Sequence, residues 1–588
     1  MGIGQWRNGL AGLALGVGLG LGIAFAPSLA QGLPRPQRPA VDLIRYRNLQ
    51  TYDLGTLSLP QTEVEPEWAT MPVALTGVIG LPAGDNSVPW VVLLHGRHGG
   101  CHFVVDGPSQ WPCEAPAHDQ GLAYLAQGLV DAGFGVMVPN LNAAFSTTYG
   151  ATPERRNSLA DQRSQAIIDA HLTRLAAAHR GEDPGFGPTL ANQITNRVDW
   201  ERLGMMGHSM GGGAAALNAL TRQGRTRPTQ IANGLGPVAA LLLLAPTRSH
   251  PQPQWDDIYQ LPDVPTALVL GGCDRDITDF SSLYYAETAA QDEDRTTPVA
   301  VVMLLGANHN FFNAAVREDD YYRRPDHAAL CNPQQSRQRL SRVAQETWLM
   351  GYGQAFFASI FDTEPFKTGS AVRTESATET NLALTAHQPA PAQIAQVPVI
   401  THLVWPETHR HRLFAASDIA ADWQTEPRPR YEASADLALT LCFAFAPCGN
   451  LPRPQPQFLN LLRFRWNTPT ESLRFPIPKR DFRDFTALQL RLAADPSTPY
   501  PSLAVILRDQ AGRAARVEIP PSTPALYTFD VPNRSAALPI YPTSVRIPLA
   551  QFQGVDLSAL ASLDLIFDTA PQGTLYLSAL ELLKQHPR

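Results

Sequence analysis

The sequence predicts an α/β region with a mostly parallel sheet, followed by an all-β region folded as an antiparallel sandwich. Three observations carry this. From Pro72 to about Phe361, short β-branched apolar runs alternate with helical patterns, which is what a sheet covered by helices on both faces produces. Beyond Pro398 the strand-like runs continue while the helical ones stop, with Pro, Gly, Asp and Ser turns between them. Between the two, residues 362–397 are rich in Thr, Ser, Ala, Pro and Gln without periodicity and read as a linker. A chain of 588 residues is too long for one ordinary core, so two domains are expected, over 41–361 and 398–588.

The N-terminus has a short polar stretch with Arg7, an apolar run from Leu10 to Phe25, and small residues at Ser28 and Ala30. This reads as a signal peptide over residues 1–30, cleaved after Ala30. The run is slightly shorter than the roughly 20 residues a bilayer needs, so no stable membrane span is expected after cleavage, and the mature protein is expected to be secreted or periplasmic. A formal net charge of −7 with no Lys/Arg run excludes nucleic acid as an expected partner. Six cysteines permit 15 pairings. Short loops would be closed by Cys101 with Cys113 and by Cys442 with Cys448, leaving Cys273 and Cys331; free buried thiols are the alternative.

In the first region the expected strands are Val73 to Leu81, Trp90 to Leu94, Gly135 to Val138, Leu203 to Met206, Ala239 to Leu244, Ala267 to Leu270 and Val299 to Leu304. Helices fall between them, the longest from Arg156 to His179, with Ile168, Leu172 and Leu175 at helical spacing. In the second region, strands are expected at Leu461 to Trp466, Ala487 to Leu492, Leu503 to Arg508, Val545 to Leu549, Leu563 to Phe567 and Leu575 to Leu582.

Four segments carry chemistry. Gly207-His208-Ser209-Met210-Gly211 lies after a strand and before the small-residue run Gly212 to Ala216. A serine on a strained strand-to-helix turn needs tiny neighbours two positions away on each side, and the helix start aims backbone N–H groups at the reacting carbonyl. Ser209 is therefore the expected nucleophile. His95-Gly96-Arg97-His98-Gly99-Gly100 ends an earlier strand, and the N–H groups of Arg97 and Met210 are the expected oxyanion donors, with His95 and His98 shaping the loop. Gly271-Gly272-Cys273-Asp274-Arg275-Asp276-Ile277 brings two acids to one turn. Asp274 is the preferred catalytic acid, three residues after Gly271 and three before Ile277, and Asp276 is the alternative. Gly306-Ala307-Asn308-His309-Asn310-Phe311-Phe312 follows the last strand of the region, where His309 can serve as general base and then general acid.

Together these segments, with the Trp111-Pro112-Cys113 loop, resemble the α/β-hydrolase superfamily over residues 72–361, and within it secreted bacterial serine hydrolases of the dienelactone-hydrolase and polyester-hydrolase kind. The resemblance implies an eight-stranded sheet, a serine-esterase mechanism and no cofactor. The last 130 or so residues resemble galactose-binding-like jelly rolls, in Val545-Arg546-Ile547-Pro548-Leu549 followed by Phe552, Leu557 and Leu560, which makes carbohydrate the candidate ligand there.

Weaker signals complete the reading. The run from Glu318 to Pro325 reads either as a rim over the site or as a solvated loop, and Trp255 and Tyr259 either as a subsite or as core. His409 and His411 lack a third ligand nearby, so no metal is expected. The expected activity is hydrolysis of small-molecule or polymeric carboxylic esters through an acyl-enzyme. Rival readings are a carbohydrate-targeted esterase, a secreted serine peptidase of the same fold, and a surface binding protein with a vestigial hydrolase domain.

Overall fold

The run Trp90 to Leu94 has no side chain exposed to water, as a central strand of a two-sided sheet requires. In the computed structural model it belongs to β3 (Val88–Leu94), and its neighbours are arranged around it in a fixed order. The other strands of this sheet are β1 (Leu49–Pro60), β2 (Thr70–Gly80), β4 (Gly135–Pro139), β5 (Val198–His208), β6 (Ala240–Leu244), β7 (Thr266–Gly271) and β8 (Val299–Leu304). They lie in the order β1-β2-β4-β3-β5-β6-β7-β8, with β1, β2 and β4 joined antiparallel and every pair from β4 to β8 parallel. These eight strands follow the mostly parallel α/β-hydrolase order that the resemblance implied, and two further strands widen the expected eight-stranded sheet to ten. Strand β1 was not foreseen, because its alternating exposure is that of an edge strand with weak apolar patterning.

The structure describes residues 43–62, 64–98, 101, 103–104, 107–108, 110–152, 155–248, 259–277, 280–323, 331–361, 392–416, 431–443, 460–478, 480–495, 501–526 and 542–584. The expected signal peptide, most of the expected linker, Trp255 and Cys448 lie outside the described residues, as does the Cys442 side chain. No helix among the described residues is long and apolar enough to cross a membrane.

Alternation along each central strand divides the core. Trp90, Val92 and Leu94 pack with α2 (Arg156–His179) and α3 (Met210–Arg222) on one face of the sheet. Val91 and Leu93 pack with α1 (Ala123–Asp131) and α5 (Arg342–Phe361) on the other, while α4 (Tyr284–Gln291) connects β7 to β8.

The boundary expected at residue 398 is corrected by β10 (Val397–Val404). It pairs antiparallel with the whole of β8, from Val299 opposite Val404 to Leu304 opposite Val399, and carries the short β9 (Gln393–Ile394) on its outer side. The sheet is thus ten strands wide. Strand β8 would otherwise expose an apolar edge, and the β-branched run of β10 covers it. No strand was expected over 397–404, and periodicity alone could not have said which sheet it joins.

The sandwich follows. Strands β11 (Arg410–Ala415), β13 (Ala438–Phe443), β14 (Asn460–Trp466), β16 (Phe485–Ala494), β19 (Thr543–Pro548) and β21 (Gly573–Lys584) form one antiparallel sheet. The facing sheet comprises β12 (Glu432–Ala433), β15 (Ser472–Pro476), β17 (Leu503–Asp509), β18 (Ala514–Ile519) and β20 (Leu560–Ile566). Between them, Trp466 stacks on Phe567 with ring centroids 4.7 Å apart. Residues from Ala40 to Arg588 make up one compact unit that includes both regions.

Candidate active site

Ser209 stands between the end of β5 and the start of α3 with φ +55° and ψ −123°, a conformation that L-residues rarely adopt. The turn is held by its own backbone. The Ser209 N–H donates to the Leu244 carbonyl at 2.9 Å, and the Ser209 carbonyl accepts from Gly212 N–H at 2.9 Å and Thr247 N–H at 3.0 Å. The glycines have a steric reason. A Cβ on Gly207 would lie 2.1 Å from the Gly211 carbonyl oxygen, and one on Gly211 would lie 2.4 Å from that of His95. The Ser209 turn and the loop that starts at His95 are therefore in backbone contact, and Gly96 approaches Ser209 Cβ in the same way.

Met210 is the first residue of α3, a position whose N–H has no acceptor within the helix. Arg97 follows His95 and Gly96 on the facing loop, with an exposed side chain. His95 is fully buried; its Nδ1 lies 2.9 Å from the Gly96 carbonyl and its Nε2 accepts from Leu141 N–H at 2.8 Å, which makes Nδ1 the protonated nitrogen. Burial pushes its pKa down to about 4, so it is a neutral loop anchor. His98 is likewise held low by burial and by the nearby His118 and His208.

The acid turn is tied by the Cys273–Cys331 disulfide, and the Cys101–Cys113 bridge is also formed. Asp274 is 2% exposed. Its Oδ1 accepts from the N–H groups of Asp276 at 2.8 Å and Ile277 at 2.7 Å, which aims Oδ2 at His309 Nδ1, 2.7 Å away. Asp276 is on the opposite side of the imidazole, its Oδ2 3.9 Å from Nε2, with 38% of its side chain exposed. The two acids that competed in the sequence thus face different nitrogens of one histidine. Burial pushes the His309 pKa down, but Asp274, by charge and hydrogen bond, and then Asp276 and Asp320 outweigh it and raise the pKa to about 9. The His208 ring, next to Ser209, packs on His309 at 4.7 Å between centroids.

Asp320 escaped the sequence reading. It belongs to the run expected as a rim or a solvated loop, yet it is fully buried. One oxygen accepts from Arg275 N–H at 2.9 Å and His309 N–H at 3.2 Å, and the other from Asn310 N–H at 3.1 Å. It therefore bridges the acid turn to the His loop. Burial and the charge of Asp274 raise its pKa, while His309 draws it down. Asp319 beside it accepts from Asn308 Nδ2 and, with both of its oxygens, from Arg339 Nη2, and Gln345 of α5 brackets the Asn308 backbone with bonds of 3.0 and 2.8 Å. The only hint in sequence was the run of three acids Glu318-Asp319-Asp320 soon after the His loop. Tyr322 in the same run is 59% exposed, whereas Tyr259 is buried against Tyr284 and Tyr285 and is a core residue.

No protein-family model matches the chain, and no curated protein matches it. Among solved structures it is similar to a dienelactone hydrolase from Anabaena variabilis ATCC 29413, at 17% identity over 53% of this chain and 99% of that one, with a TM-score of 0.26. It is similar to a fungal esterase from Rhizomucor miehei at 14% identity, over 53% and 84% of the two chains, with a TM-score of 0.30. It is also similar to a family 11 carbohydrate-binding module of a Clostridium thermocellum cellulase at 9% identity, over 27% and 91%, with a TM-score of 0.19.

Proposed function

We propose that the chain is a secreted serine hydrolase that cleaves carboxylic esters through an acyl-enzyme. The observation that carries this reading is the buried 2.7 Å bond from His309 Nδ1 to Asp274, with the His309 ring packed on His208, the chain neighbour of a serine held at positive φ. Ser209 Oγ attacks the ester carbonyl while His309 Nε2 takes its proton, and Asp274 fixes the ring and stabilises the imidazolium. The N–H groups of Arg97 and Met210 receive the oxyanion, each worth about 3 kcal/mol in the transition state. His309 then returns the proton to the departing alcohol, and water repeats the sequence to free the acid. A serine at this turn speaks against the carboxylate-nucleophile chemistry that the same fold can support. Secretion is supported by two disulfides, which persist in oxidising compartments.

The test is labelling by a fluorophosphonate probe and turnover of p-nitrophenyl esters of varied chain length. Wild type is expected to be labelled and active, and Ser209→Ala to lose both. A folded wild-type chain that neither reacts with the probe nor turns over any ester would sink the reading.

A further inference from the structure

Strand β16 crosses the sheet of the sandwich that also contains β21, and every side chain on it except Thr486 is buried. Alternation divides them. Leu488, Leu490, Leu492 and Ala494 enter the sandwich core, while Ala487, Gln489, Arg491 and Ala493 point away from it. An antiparallel sandwich standing alone would leave that second face to water. Here it is covered by the catalytic region.

The contacts are specific. Ala487 and Leu583 pack with Ala300 of β8 and with Leu403 and Trp405, and Ala493, Leu461 and Tyr576 join the hydrophobic core of the α/β region. Arg491 is ion-paired with Glu287 of α4, and both are almost fully buried. Arg410 donates to the Ala290 carbonyl near the C-terminal end of α4 at 2.7 Å and pairs with Glu581 at 3.2 Å. Such a carbonyl lacks an intrahelical donor, so the sandwich caps the helix. Gln489 Nε2 donates to the Leu403 carbonyl and to Glu581, both at 3.0 Å, and Ser544 Oγ meets His402 Nδ1 at 2.6 Å.

What this face grips decides its role. Helix α4 connects the strand that ends at the Asp274 turn to β8, and the His309 loop follows β8 directly. Strand β10, also gripped, pairs with the whole length of β8. We infer that the sandwich is a brace for the acid and base half of the site: its polar sheet face docks on α4 and β10 of the same chain and holds the Asp274 and His309 segments in register. The catalytic meaning of the brace rests on the triad proposed above. Arg491 acts as a positioning residue.

Breaking a buried ion pair is far costlier than the pair's net contribution when intact, because the remaining charge stays desolvated. The experiment is hydrogen–deuterium exchange and steady-state kinetics on the full chain, comparing wild type, Arg491→Glu, and Arg491→Glu combined with Glu287→Arg. Arg491→Glu is expected to speed exchange over 284–291 and 299–312 by about a hundredfold. It is also expected to lower kcat more than it raises KM, and the charge swap to restore most of both. Loosening confined to 460–584, with exchange over 299–312 unchanged, would overturn the inference. If Arg491→Glu fails to fold, Gln489→Ala is read in the same way, with about a tenfold change over 299–312 expected and no change there refuting. Exchange does not depend on hydrolysis, so a chain that shows this pattern but is not labelled by the fluorophosphonate would reject the hydrolase reading and keep the brace.

Discussion

Replacing Asp276 by Asn separates the two acids by their effect on pH dependence. Asp276 faces Nε2 of His309, the nitrogen that accepts the serine proton in the mechanism proposed above, at 3.9 Å. A unit charge at that distance attracts the imidazolium by about 1 kcal/mol in water and about 4 kcal/mol at a protein surface. Since 38% of the Asp276 side chain is exposed, solvent screening favours the lower figure. About 1 kcal/mol corresponds to roughly 0.7 of a pH unit. The sign follows from which form the carboxylate stabilises. It holds the protonated ring, so its removal lowers the His309 pKa from about 9, and the acid limb of kcat/KM moves to lower pH. Well below that limb, Asp276→Asn is expected to be about fivefold more active than wild type, with the alkaline plateau preserved. Asp274→Asn should instead reduce kcat by about three to four orders of magnitude at every pH, because the amide oxygen stays on the N–H groups of Asp276 and Ile277 and the NH2 then faces Nδ1, which selects the wrong tautomer. The assay is a kcat/KM profile on a p-nitrophenyl ester from pH 6 to about 10. An Asp276→Asn limb that stays in place or moves to higher pH would refute the electrostatic reasoning. A uniform loss of the size expected for Asp274→Asn would make Asp276 the catalytic acid.

Two further expectations follow from the backbone around the site. Gly211→Ala places a Cβ 2.4 Å from the His95 carbonyl, where no flexible side chain can give way, so the nucleophile turn and the oxyanion loop must separate. A stability loss of about 1–3 kcal/mol by chemical denaturation is expected, together with a fall in kcat; an unchanged variant would show that the contact relaxes freely. Asp320→Ala leaves the N–H groups of Arg275, His309 and Asn310 without their acceptor. A loss of about 3 kcal/mol or more is expected by the same method, with kcat falling more than KM rises, and Asp320→Asn, which retains one oxygen, should lose less.

Some features could be read from sequence because chemistry restricts the residues that can serve. A serine on a left-handed turn needs glycine at 207 and 211, and the collisions that a Cβ would meet at either explain why that pattern was informative. The choice between Asp274 and Asp276 stayed open because both stand on one turn. It is the main chain that separates them: Asp274 accepts from the N–H groups two and three residues ahead, which commits one oxygen to the turn and leaves the other for His309. Asp320 was missed for the opposite reason. It joins two loops that are far apart in sequence, and no local periodicity records such a bridge.

The same limit governed the second region. In β16, Leu488, Leu490 and Leu492 alternate with Gln489 and Arg491, the pattern of a strand with one face in the core and one in water. The sequence does encode an exception, since Ala487 and Ala493 flank the polar pair with small apolar side chains that suit a close approach by another layer. What it cannot show is that Glu287, 204 residues away, supplies the opposite charge for Arg491. Binary patterning counts a buried, paired arginine as a solvated one. The error has a direction: strands that dock one domain on another will read as the open face of an independent module, and here that would cast a brace of the catalytic loops as a detachable appendage.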